Sequence, residues 1–89
     1  MINRELNIIN KLGLHARAAA KFVATASEFK SSIQLANQRT QANGKSIMSI
    51  MMLAAGQGTT LTLIADGEDE AAAVSALEQL VQNRFGEGE

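Results

Sequence analysis

The chain reads as an α+β domain in two layers, with one antiparallel sheet and the element order β-α-β-β-α-β-α. Two observations predict that class. Apolar residues in the extended runs alternate, as they do in a sheet with one solvated face. The helical stretches each carry a single apolar stripe and need a surface to cover.

Each element has its own justification. Residues 2–9 (INRELNII) put Ile2, Leu6 and Ile8 on one parity, and Gly13 then breaks the run. Residues 16–28 form the clearest helix, because Ala19, Phe22, Val23, Ala26 and Phe29 recur at helical spacing while Lys21, Thr25 and Glu28 point away. "SSIQLAN" alternates with Ile33 and Leu35 inward, and a polar turn at Gln38 and Arg39 leads to the short strand "TQAN", stopped by Gly44. A second helix is expected over residues 47–55, with Ser46 as N-cap and Gly56 at the C′ position. "TTLTLIA" is a strand with Leu61 and Leu63 on one face. The last helix covers residues 69–84, acidic at its start and closed by Arg84, with Val74, Leu77, Leu80 and Val81 as its buried stripe. Residues 86–89 (GEGE) are expected to be disordered.

Composition bounds the function. At 89 residues the chain is one domain, 1–89, and a fold this small buries only about 60–65% of its unfolded surface. It has no cysteine, one histidine and three aromatics, all Phe, so the core is aliphatic and unsupported by disulfides. With so few soft ligands, no metal site is expected. Eight basic residues against nine acidic ones, with no basic run, lack the footprint of a nucleic-acid binder. No apolar segment approaches the roughly 20 residues of a membrane span, and "MINREL" has no secretory h-region, so a cytoplasmic domain is expected.

His15 stands directly before the first helix. A lone histidine there is read most simply as a surface or capping residue, but its surroundings open another reading. The positive end of the helix disfavours imidazolium and keeps the ring nucleophilic. The first-turn amides of Ala16, Arg17 and Ala18 form an anion site, and the Arg17 guanidinium can grip phosphate oxygens in pairs. A nucleophile, free amides and an arginine are the parts that phosphoryl transfer needs, since that chemistry is mostly positioning and charge stabilisation. Both readings stand at this level. Gly44-Lys45-Ser46 ends like a P-loop, but Arg39 occupies the place of its first glycine, and the motif is rejected. Ser46 is a helix cap where a phosphate would meet helix amides, and so also a candidate regulatory mark. The run Ile47-Met48-Ser49-Ile50-Met51-Met52-Leu53 is apolar nearly all round, as a buried helix or a docking patch would be.

"GLHARAAAKFV", "NGKSIMSIMML" and "GQGTTLTLIADGEDEAAAVSALEQLV", with the element order, resemble the HPr phosphocarrier family over essentially the whole chain. The resemblance implies an open-faced β-sandwich of four antiparallel strands covered on one face by three helices. It implies a carrier, rather than a free-standing enzyme, that takes a phosphoryl group from an enzyme I-type donor and passes it to an enzyme IIA-type acceptor. It needs no cofactor beyond the transient phosphoryl group. His15 would carry the group, Arg17 would stabilise it, Ser46 would match the family's regulatory serine and meet a kinase, and Ile47, Met48, Met51 and Met52 would dock partners. A monomer is expected. Residues Asn10 to Gly13 and the acidic tail resemble the nitrogen-related branch, NPr, more than the sugar branch. One departure is Ala18, where most members have proline; alanine restores an amide donor and frees φ. The rivals are a sugar-branch carrier, a regulatory binding module of the same fold, and a small acid–base enzyme.

Overall fold

A computed structural model describes residues 1–87. The strands are β1 (Ile2–Asn7), β2 (Ser32–Ala36), β3 (Gln41–Asn43) and β4 (Thr60–Asp66); the helices are α1 (Ala16–Ala26), α2 (Ile47–Met52) and α3 (Glu70–Gln82). The strands form one antiparallel sheet in the order β1-β4-β2-β3, and α1 and α3 lie together against one face. The expected fold class is met.

Register follows from the alternation. Leu6 pairs with Leu61, Leu63 sits between Arg4 and Leu35, Ala65 lies between Ile2 and Ile33, and Leu35 meets Ala42. Leu61, Leu63, Ile33, Leu35 and Leu6 are all buried beneath Phe22, Ala19 and Ala26 of α1 and Ala73, Val74, Leu77 and Val81 of α3. The opposite parity carries Asn3, Ile64, Gln34 and Asn43 in one cross-strand row on the uncovered face. Slipping any strand by one residue would exchange these two sets, so the register is strongly specified. Leu80, expected in the buried stripe of α3, is only half-buried.

All three helices end earlier than expected. α1 stops at Ala26, two residues early, capped by the Ser27 amide on Val23 O. α2 stops at Met52, and the left-handed residue after it is Ala54, at φ 50, rather than Gly56. That conformation costs an alanine about 1 kcal/mol. It turns the chain so that Ala55 O accepts the Leu14 amide at 2.8 Å, a tertiary bond that no local rule anticipates. α3 ends at Gln82, and Arg84 is not in its last turn: Arg84 and Phe85 both sit at φ 53, in a turn spanning Arg84–Gly86. Burying the Phe85 ring offsets that strain, since a fully buried phenylalanine contributes about 2–3 kcal/mol. In the same turn Gly86 donates to Asn83 O at 2.9 Å, and Glu87, in the tail expected to be disordered, has side-chain partners in the body of the domain. Residues 88–89 lie outside the described residues.

Candidate functional site

The site begins with a backbone constraint. Between β1 and α1 the chain turns at Gly13, whose φ of 67 suits glycine, and a Cβ there would sit 2.4 Å from Ala55 O. This close approach packs the loop against the segment leaving α2 and fixes where α1 starts. Ala18 and Ala19 are wholly buried and anchor the first turn, so position 18 faces the core.

His15 is the N-cap residue of α1 by position, with φ −74 and ψ 179, but its side chain makes no capping bond. Its carbonyl accepts the Ala19 amide at 2.8 Å, which leaves the amides of Ala16, Arg17 and Ala18 as the first-turn donors beyond the helix ladder. The ring turns instead to the end of the chain. His15 Nε2 meets one carboxylate oxygen of Glu87, and the other oxygen accepts Asn10 Nδ2 at 2.9 Å. Burial pushes the Glu87 carboxyl up; the hydrogen bonds from Asn10 and His15, with the Lys21 charge nearby, outweigh it and hold the group below its ordinary value. An ionised carboxylate only accepts, so it selects the imidazole with its proton on Nε2 and the lone pair on Nδ1. Lys21 Nζ donates to Phe85 O at 2.6 Å and ties the turn carrying Glu87 to α1.

Lys11, Leu12, His15, Ala16, Arg17, Lys21, Gly86 and Glu87 line one open groove of about 670 Å³. Three of these are cations, and Arg17 is exposed, its side chain without a hydrogen bond or ion pair among the described residues. The structure therefore brings His15 together with Ala16 and Arg17 in the groove, whereas Ala18, expected to share the anion site, is wholly buried and does not line it. Ser46 and the methionines belong to a separate helix start. Ser46 Oγ accepts the Ser49 amide at 3.4 Å, as an N-cap does. In α2 only Ile50 is buried; Met48 and Met52 are 75% and 76% exposed, and Ile47 and Met51 are 42% and 41% exposed. Of the two readings of this run, an exposed apolar patch is the one observed.

Asn10, Lys21 and Glu87 were not anticipated. Asn10 shares the parity of Leu6 and Ile8, so strand alternation did point it inward. Glu87 carried no signal, since a Gly/Glu tail reads as solvated chain.

A histidine at an uncapped helix start, ringed by cations on an open-faced α+β domain, is the equipment of a phosphoryl carrier. Comparison with known proteins agrees. The family model described as "PTS HPr component phosphorylation site" matches residues 2–83. The chain is 54% identical to phosphocarrier protein HPr of Neisseria meningitidis serogroup A over 89 residues, covering 100% of both chains. It is 55% identical to that of Pseudomonas aeruginosa over 86 residues, covering 96% of each. Among solved structures, HPr-C-His from Thermoanaerobacter tengcongensis superposes with a TM-score of 0.94 at 47% identity, covering 98% of each chain. HPr from Bacillus anthracis gives 0.86 at 38% identity, covering 91% of this chain and 96% of its own. The chain belongs to the HPr family of phosphotransferase-system phosphocarriers. Among the described residues, no helix is long and apolar enough to cross a membrane.

Proposed function

We propose that the chain carries its phosphoryl group on Nδ1 of His15, receives it from a phosphorylated enzyme I-type donor and gives it to an enzyme IIA-type acceptor in the cytoplasm. The observation that carries the reading is the helix start itself, where an uncapped first turn, Arg17 and a ring held at Nε2 converge. The Nδ1 lone pair attacks phosphorus as the bond to the donor's leaving nitrogen breaks, and that nitrogen keeps the electron pair. The Nε2 proton stays on the ring against Glu87, which stabilises the positive charge the ring gains. The first-turn amides of the exposed residues Ala16 and Arg17 and the Arg17 guanidinium receive the phosphoryl oxygens, with wholly buried Ala18 anchoring the turn behind them. Transfer onward reverses these steps, and no cofactor is needed.

Partners dock on Ile47, Met48, Met51 and Met52, beside the helix start to which the Leu14–Ala55 bond ties them. Phosphorylation of Ser46 by a kinase would place two negative charges next to that patch and weaken docking. The protein acts as a monomer. The finer reading is the nitrogen-related branch, and what supports it is the resemblance of residues Asn10 to Gly13 and of the acidic tail; Leu12 of that run is 66% exposed and lines the groove with His15, where a partner would read it. Preferred discharge to a sugar-type IIA protein over a nitrogen-type one would reverse that branch assignment.

Incubation with phosphoenolpyruvate and enzyme I should yield one acid-labile, alkali-stable phosphate per chain. His15→Ala should accept none, and label retained by that variant ends the carrier reading. Arg17→Ala should accept phosphate about a hundredfold more slowly, near the lower end of the cost of removing one preorganised donor.

A further inference from the structure

Asn10 is wholly buried, and among the described residues its Oδ1 has no hydrogen-bond partner. Orphaned buried acceptors are rare enough that each asks for an explanation. The other end of the same amide is fully used: Nδ2 donates to Gly13 O at 2.8 Å and to Glu87 Oε1 at 2.9 Å. Both neighbours are acceptors, so the amide has one workable orientation, and the orphaned oxygen is its consequence. An aliphatic side chain would remove this orphan but would take the donor from Gly13 O and from one oxygen of Glu87, so the amide is kept for what Nδ2 holds. What the amide does is join two segments 77 residues apart in sequence, and the second oxygen of the carboxylate it holds lies on His15 Nε2.

We infer that Asn10 is a positioning residue for His15, acting through Glu87: it binds the carboxylate to the loop that carries the histidine, and the carboxylate then holds the ring in its Nε2–H form with Nδ1 open. The purpose of this relay rests on the carrier reading, whereas its geometry does not. Lys21 supports it from the other side by gripping Phe85 O, two residues before Glu87. Neither Asn10 nor Glu87 exchanges phosphate. Each decides how often the ring is ready when a donor arrives.

Long-range proton–nitrogen spectra of the His15 ring test this on the intact protein. The neutral wild-type ring should be predominantly the Nε2–H tautomer. Asn10→Leu, which keeps the branched heavy-atom skeleton and loses the donors, should shift the ring toward Nδ1–H and slow phosphate acceptance about three- to tenfold, as expected for residues sharing one network. Glu87→Gln should shift it the same way. Adding Asn10→Leu to Glu87→Gln should then cost nothing further, because the effect of Asn10 runs through Glu87. A full additive loss in the double variant, or a tautomer unchanged by Glu87→Gln, overturns the relay. The second outcome decides the matter even if Asn10→Leu does not fold. If wild-type protein accepts no phosphate, the carrier reading fails, while the tautomer comparison still judges the relay.

Discussion

The starts of α1 and α2 are built from similar parts and used in opposite ways. Each follows a loop carrying a glycine, and each has a polar residue at the N-cap in an extended conformation. At α2 the Ser46 hydroxyl turns inward onto its own helix and accepts the Ser49 amide. At α1 the His15 ring turns away, to Glu87, and among the described residues no side chain caps the amides of its first turn. A capped helix start is finished; an uncapped one keeps a positive end that can be lent to a phosphate. α1 can go without a cap because other contacts hold its start: buried Ala18 and Ala19, and the loop at Gly13 pressed against Ala55.

If close packing substitutes for a cap at α1, Gly13→Ala should have the largest effect. The added Cβ would force a left-handed alanine and a clash with Ala55 O, at a combined cost of about 2–4 kcal/mol in a urea titration. A loss under about 1 kcal/mol would mean that the loop is not what positions α1.

The start of α3 extends the comparison. Asp69 is its N-cap by position but makes no capping bond; its carboxylate accepts the amides of Lys30 at 2.8 Å and Ser31 at 2.9 Å, together with the Ser31 hydroxyl. The Ser31 hydroxyl foremost, then the Lys30 amide, hold the Asp69 carboxyl down at about 2, from an ordinary value of 3.8. Because the folded value is depressed, this contribution to stability is complete above about pH 4 and is lost as pH falls toward 2. Asp69→Asn should therefore lower the urea midpoint at neutral pH and flatten its decline between pH 4 and 2. Parallel acid limbs in the two proteins would show that this anchor contributes nothing.

Ser46→Ala should be the smallest of the three. The cap is long at 3.4 Å, so a loss of about 0.5 kcal/mol is expected, the low end for removing a capping hydroxyl. Phosphate acceptance at His15 should not change. A slower rate would mean that the two helix starts are coupled rather than merely adjacent.

How much of this was legible depended on how far apart the partners lie. The parity of Leu6, Ile8, Leu61 and Leu63, the stripe of Ala19, Phe22 and Ala26, and the placing of His15 at a helix start all follow from periods of two and 3.6 residues. Such periods are local properties of the chain. They are enough to order the elements and to suggest an anion site beside the histidine. Whether the histidine caps its own helix was not local. It turned on whether the ring had something better to do than cap, and the answer is Glu87, 72 residues away.

The sequence by itself determined which residues face inward, where the helices begin, and that the single histidine shares a helix start with an arginine. Only the tertiary structure decided that Ala54 rather than Gly56 would turn left-handed, that Arg84 and Phe85 would leave the helix to bury an aromatic ring, and that Asn10, His15 and Glu87 would meet. In each case a contact between distant segments outweighs a local preference of about 1 kcal/mol, and such contacts leave no period in the sequence.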